Sequence, residues 1–229
     1  MTADDYKSGQ VLLIDKPLGW TSFQVVNKVR WLIRKQFDIK KIKVGHAGTL
    51  DPLATGLLIL CTGKFTKKIE SFQAQEKEYT GTITLGATTP SYDLETEIDA
   101  TYSLSEVTSE KIKSTAQQFV GEIQQQPPVF SALKKDGKRL YEFARAGEDV
   151  DIPKRTVRIS SFEITRIELP QVDFRVVCSK GTYIRSLAHD LGRALNNGGH
   201  LSSLRRTKIG SFHVADSTTI EAFENALSS

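Results

Sequence analysis

The chain is short of sulfur, of long apolar runs and of clustered metal-ligand residues. Only two cysteines occur in 229 residues, Cys61 and Cys178. Each lies inside an apolar stretch, which argues against a disulfide framework and for a reducing cytoplasm, with both thiols in the core. No run reaches the ~20 apolar residues that a membrane span needs. The opening Met1-Thr-Ala-Asp-Asp5 lacks the basic segment and apolar stretch of an export signal, so a soluble cytoplasmic protein with no membrane partner is expected. The four histidines, His46, His189, His200 and His213, are scattered, and neither cysteine has a paired neighbour, so no metal is expected. Gly63-Lys64 fails as a phosphate-binding loop, because Leu58 stands where its first glycine belongs and Phe65 where Ser or Thr would meet magnesium.

A dominant charge sign is missing as well. Lys and Arg number 31 against 27 Asp and Glu, a net charge of +4. The order of the charges says more than the sum. Lys28, Arg30, Arg34, Lys35, Lys40, Lys41 and Lys43 face a single carboxylate, Asp38, in one segment; Lys64, Lys67 and Lys68 form a second cluster, and Arg205, Arg206 and Lys208 a third. Asp93, Glu95, Glu97, Asp99, Glu106 and Glu110 make an intervening acidic stretch. This asymmetry points to a nucleic acid on one side of the molecule, with the acidic stretch turned away from it.

The apolar periodicity mixes strands and helices. Val11 to Asp15 reads as a buried strand that turns at Lys16-Pro-Leu-Gly19. Thr21-Ser-Phe-Gln24 reads as a capping box, and Val25, Val26, Val29, Leu32 and Ile33 as the buried stripe of the helix that follows. Further strands are expected at Leu57 to Cys61, Tyr79 to Leu85, Val157 to Leu169 and Val172 to Cys178. Helices are expected near Lys64 to Phe72, Glu110 to Phe119, Leu140 to Ala146, Thr182 to Leu195 and Thr218 to Leu227. Without a strict βαβ rhythm this is an α+β pattern with a mixed, largely antiparallel sheet. One domain over 1–229 is expected, with a basic excursion within about 126–155 and a short helical tail at about 217–229.

The most specific feature is Val44-Gly-His-Ala-Gly-Thr-Leu-Asp51-Pro-Leu-Ala-Thr-Gly56. Three glycines frame one carboxylate, and Pro52 pushes Asp51 out of the helical region, so Asp51 is expected at the tip of a stiff turn. This loop resembles the signature loop of the TruB-type pseudouridine synthases, in which the Asp is the catalytic nucleophile. The resemblance extends along nearly the whole chain: Asp15-Lys-Pro-Leu-Gly-Trp-Thr-Ser22, Lys77-Glu-Tyr79, Gln126 to Lys134 with Gly137, Leu140, Tyr141 and Ala144-Arg145, Gly181-Thr-Tyr-Ile-Arg-Ser-Leu187, and Leu204-Arg-Arg206 all match motifs of that family.

The resemblance implies the pseudouridine-synthase fold with a protruding RNA-gripping insertion. It also implies a cofactor-free isomerisation of uridine 55 in the T arm of tRNA. Asp51 is implied as the catalytic carboxylate, with attack on C1′ of the sugar or on C6 of the base both open. Tyr79 and Tyr183 are implied as walls of the base pocket, Arg185 as the partner that orients Asp51, and Leu204 as an apolar wall. His46 is implied in filling or supporting the rearranged loop, and Lys16 in supporting the loop or meeting phosphate. Lys134, Lys138, Arg139, Arg145, Arg205 and Arg206 are the RNA-binding cations expected. Many bacterial relatives continue into a further small RNA-binding domain, which is expected to be absent, so no guide RNA is expected; the partner expected is the T-arm stem-loop of tRNA, and the protein is expected to be a monomer. The competing class is a catalytically idle RNA-binding or tRNA-folding module on the same fold.

Overall fold

A computed structural model describes residues 1–131, 133–135, 137–148 and 150–228. In chain order the elements are α1 (Ala3–Ser8), β1 (Val11–Lys16), α2 (Ser22–Gln36), β2 (Val44–His46), β3 (Ala54–Thr62), a 3-10 turn (Gly63–Lys68), α3 (Ile69–Ala74) and β4 (Lys77–Leu85). Then come β5 (Ala87–Thr88), β6 (Ala100–Thr101), α4 (Ser109–Gln117), β7 (Gly121–Gln125), β8 (Lys134–Lys135), β9 (Lys138–Arg139), α5 (Leu140–Ala146), β10 (Arg155–Glu168) and β11 (Gln171–Cys178). The chain ends with α6 (Ile184–Ala194), β12 (Gly199–Ile209), β13 (Phe212–His213), a 3-10 turn (Val214–Asp216) and α7 (Ile220–Ser228). Two compact units result, one of Met1–Tyr79 with Leu204–Ser229 and one of Thr80–Ser203.

In the first unit, β1 and β2 both pair antiparallel with β3, while the end of β12 joins β3 in parallel, Leu204 opposite Ala54 and Arg206 opposite Gly56. This parallel pair makes the sheet mixed. Helix α2 starts as its sequence requires: Thr21 is extended, its side chain accepts from Gln24 N–H, and the Gln24 side chain answers the Thr21 N–H. Its stripe of Val25, Val26, Val29, Leu32 and Ile33 buries against Tyr6, Ile14, Leu58, Leu60 and Phe223. A second cluster, Ala47, Leu57, Ile59, Cys61 and Ile209, covers the sheet's other face. Strand β3 serves both, which is why Leu57 to Cys61 is one unbroken apolar run.

In the second unit, β4, β11, β10 and β7 lie side by side, with β10 antiparallel to both β11 and β7. Ile83, Val157, Phe162, Phe174 and Val176 are buried there, with Phe162 and Phe174 edge to face at 5.8 Å. Cys61 and Cys178 are both free and buried, as expected of core thiols. Several elements have no counterpart in the sequence expectation, among them α1, β2 and β12.

Candidate active site

The signature loop is built from its anchors inward, and they all belong to the first unit. Ser22, at the first position of α2, accepts from Leu50 N–H at 2.8 Å and donates to Leu50 O at 3.0 Å. Both atoms are out of water, so this reciprocal pair fixes the residue before Asp51. Ala47 N–H donates to Ile59 O at 2.9 Å and Gly19 N–H to Pro52 O at 2.8 Å. Asp51 is itself half-buried, and its carbonyl accepts from Ala54 N–H at 3.1 Å, closing the turn that Pro52 opens.

Two buried cations complete the frame. Lys16 is fully buried at the end of β1, and its ammonium donates to the carbonyls of Pro17 at 2.9 Å, Trp20 at 2.5 Å and Pro52 at 3.4 Å. Burial brings its pKa down to about 8; the Asp51 carboxylate works against that shift and the Arg206 charge adds to it. Of the two roles implied for Lys16, supporting the loop is the one its contacts serve. Arg206, expected among the RNA-binding cations, is a correction. It is 1 % exposed, with Nε donating to Leu57 O at 2.8 Å and Nη2 to Gly48 O at 3.0 Å. It cannot meet a phosphate without giving up the loop, because an unpaired buried carbonyl costs about 1–3 kcal/mol. Gly56 has φ +103°, and a Cβ there would run into the Arg206 backbone, so this position needs glycine twice over.

The other first-unit candidates flank this frame. His46 pairs with Leu60 through β2, and burial, then the Arg206 charge, lowers its pKa, which favours the neutral imidazole. Leu204 lies opposite Ala54 on β12. Arg205, also expected to bind RNA, is half-exposed and forks onto Asp15 at 3.1 and 2.7 Å. Tyr79 is buried on β4. Lys16, His46, Asp51, Leu204, Arg205 and Arg206 therefore converge on one loop.

Tyr183 and Arg185 belong to the second unit. Tyr183 is the N-cap residue of α6; its N–H donates to Gln125 Oε1 at 2.8 Å and its carbonyl accepts from Gln125 Nε2 at 3.0 Å. The Arg155 guanidinium sits 4.5 Å from its ring centroid. Arg185 is 4 % exposed; Nη1 donates to Ser91 O at 3.2 Å and Nε lies 3.5 Å from Asp93 Oδ2. Asp93, part of the acidic stretch read in the sequence, is 5 % exposed. Its turn is tied by Thr89 Oγ1 to Asp93 O at 2.6 Å and by Asp93 Oδ1 to Glu95 N–H at 3.0 Å. The only local signal was the run of turn formers from Thr88 to Asp93.

Within the excursion, Lys138 lies 3.3 Å from Glu148 and 4.5 Å from the Phe143 ring centroid, on a short hairpin with Arg139. The pair is exposed and weak, about 0–1 kcal/mol, so an RNA phosphate can displace it. The side chains of Lys134 and Arg145 lie outside the described residues. Among the described residues no group of His, Cys, Asp or Glu is arranged to hold a metal ion.

The sequence matches the family model described as TruB family pseudouridylate synthase (N terminal domain) over residues 34–184, and that of the tRNA pseudouridylate synthase B C-terminal domain over 185–229. It is 62% identical to tRNA pseudouridine synthase B of Flavobacterium johnsoniae, over 99% of this chain and 100% of that one. Its identity to tRNA pseudouridine synthase B of Phocaeicola vulgatus is 57%, over 96% and 93%. Among solved structures, a chain of a Cbf5-Nop10-Gar1 complex superposes with TM-score 0.72 at 32% identity, covering 98% of this chain and 56% of that one. A chain of an H/ACA RNP bound to a substrate RNA containing 2'-deoxyuridine does so with TM-score 0.69 at 30% identity, covering 96% and 53%. This chain thus spans about half the length of those two proteins.

Proposed function

Because the chain belongs to the TruB family of pseudouridylate synthases, we propose that it isomerises uridine 55 in the T arm of tRNA to pseudouridine, with Asp51 as the catalytic carboxylate. The observation that carries this reading is the half-buried Asp51 on a loop pinned by Ser22, Lys16 and Arg206. Catalysis by positioning needs such rigidity, since a carboxylate must meet the nucleoside without reorganising. The reaction breaks the N1–C1′ bond, turns the uracil and joins C5 to C1′; the C5 proton is lost and N1 gains one, so the atoms balance within the nucleoside.

Tyr79, Tyr183, Arg185 and Leu204 bind the extruded uridine in this reading, aromatic rings suiting a base taken out of its stack. His46 and Lys16 serve as loop supports. Lys134, Lys138, Arg139 and Arg145 grip the RNA from the 126–155 excursion, and Arg205 is a further RNA-binding cation in this reading. We place the protein in the cytoplasm as a monomer; no described helix is long and apolar enough to cross a membrane. Relatives named as synthases at 62% and 57% identity favour the enzyme over the idle RNA-binding module.

The test is tritium release from C5-labelled uridine in a T-arm transcript, beside a transcript in which the target uridine is replaced. Release from the first alone is expected. Asp51→Asn should abolish it while tRNA affinity stays within a few-fold, and a mutant as active as the wild type would sink the assignment. Tight binding without release by the wild type would favour the idle module.

A further inference from the structure

A second feature of the first unit has no part in holding the signature loop. Helix α2, the segment after it, and β2 enclose an open cleft of about 800 Å³, lined by Arg30, Arg34, Lys40, Lys41 and Lys43, with Ile42, Val44 and Ile69 as apolar walls. No carboxylate lines it, and the segment's own acid, Asp38, stands exposed outside the lining.

The five cations are also uncompensated. Arg30 donates to Asn27 Oδ1 and Val44 O, both at 2.9 Å, and Arg34 to Ile39 O at 3.4 Å. These are neutral acceptors; they aim the guanidinium groups without cancelling their charge. Among the described residues none of the five forms an ion pair. Five like charges around one concavity repel each other and focus a positive potential there that an anion relieves, so the cleft suits a polyanion.

The cleft's position specifies which one. Val44 and Gly45 line it, and one residue later β2 delivers His46 into the loop that carries Asp51. On the same helix the exposed ring of Trp31 lies 4.9 Å from Lys35 Nζ, adding a flat aromatic face and a further cation, while Lys28, 5.0 Å from the ring, is ion-paired with Glu224 at 2.9 Å. We infer that this cleft binds the phosphodiester backbone of the substrate RNA at a stretch other than the target nucleotide, fixing the register in which the RNA meets the signature loop. The inference rests on the RNA-isomerase reading and adds a binding surface to it. Its contacts are to backbone, so it positions without reading sequence.

The test is a Lys40→Gln, Lys41→Gln, Lys43→Gln variant; all three side chains are exposed and removable without opening the core. A Lys111→Gln, Lys113→Gln variant on α4 of the second unit serves as the control, removing two charges against the cleft variant's three. Binding of full-length tRNA is measured across a salt series, with KM and kcat from tritium release. In the cleft variant the slope of log affinity against log salt should shallow by about 2, at ~0.7–0.9 per lost phosphate contact. Its KM should rise about tenfold with kcat preserved, and the control should match the wild type. A wild-type slope in the cleft variant, or an equal loss in the control, overturns the inference. A wild type that releases no tritium would instead defeat the isomerase reading, so the two failures are distinguishable.

Discussion

At the scale of single residues, the site is defined by charges placed where water is not. Lys16 shows what that costs. Its ammonium is brought from 10.5 to about 8 by burial, against the Asp51 carboxylate, which favours the charged form. Below pH 8 the lysine is protonated in both folded and unfolded chains, and the folded state bears the full burial penalty. Between pH 8 and 10.5 the unfolded chain binds a proton that the folded one does not, so stability rises with pH across that window. Urea unfolding of the wild type and of Lys16→Met from pH 7 to 10 should therefore show the wild type gaining relative to the variant above pH 8. A constant difference would mean that Lys16 is not desolvated. Arg206 teaches a related lesson: beside Arg205 in sequence it looks like half of a surface pair, yet strand alternation turns it inward, where its guanidinium serves two carbonyls.

At the scale of elements, α2 does two jobs from one end. Its capping box, legible in Thr21 and Gln24, sets where the helix begins, and that start places Ser22 against Leu50. Ser22→Ala should cost about 2 kcal/mol in chemical denaturation through the unpaired Leu50 groups. It should also lower kcat more than it raises KM, since the loop loses its clamp without losing RNA contacts; an unchanged kcat would show that Asp51 is held by other means. The elements missed from sequence were missed for physical reasons. Helix α1 is six residues long, and only the Thr2 and Asp5 capping pair marks it. Strand β12 carries His200 and Arg206 at buried positions, which breaks the apolar alternation that announces a strand. Helix α6 begins at Ile184 rather than Thr182 because extended Tyr183 caps it.

At the scale of the whole molecule, binding rests on charge distribution more than on net charge. Neutralising the hairpin pair as Lys138→Gln, Arg139→Gln should weaken tRNA binding and shallow its salt dependence by roughly 1–2, with turnover at saturation less affected. An unchanged slope would remove the excursion from the RNA-binding surface. What the sequence determined alone was what local pattern carried: the α+β class, the capping box of α2, the buried runs, and a loop whose three glycines and proline restrict Asp51. Tertiary structure decided which charges are surface and which are frame. Asp93 and Arg185 are 92 positions apart, and their burial together follows from the packing of a turn against a helix. Arg206 is an ordinary basic residue until β3 brings Leu57 O within reach, and Lys16, whose nearest acceptors Pro17 O and Trp20 O are local, is buried only once β1 has paired with β3. Periodicity encodes which face of an element is buried, but the fate of a charge on that face depends on the acceptor it meets, and the chain only supplies that acceptor once it has folded.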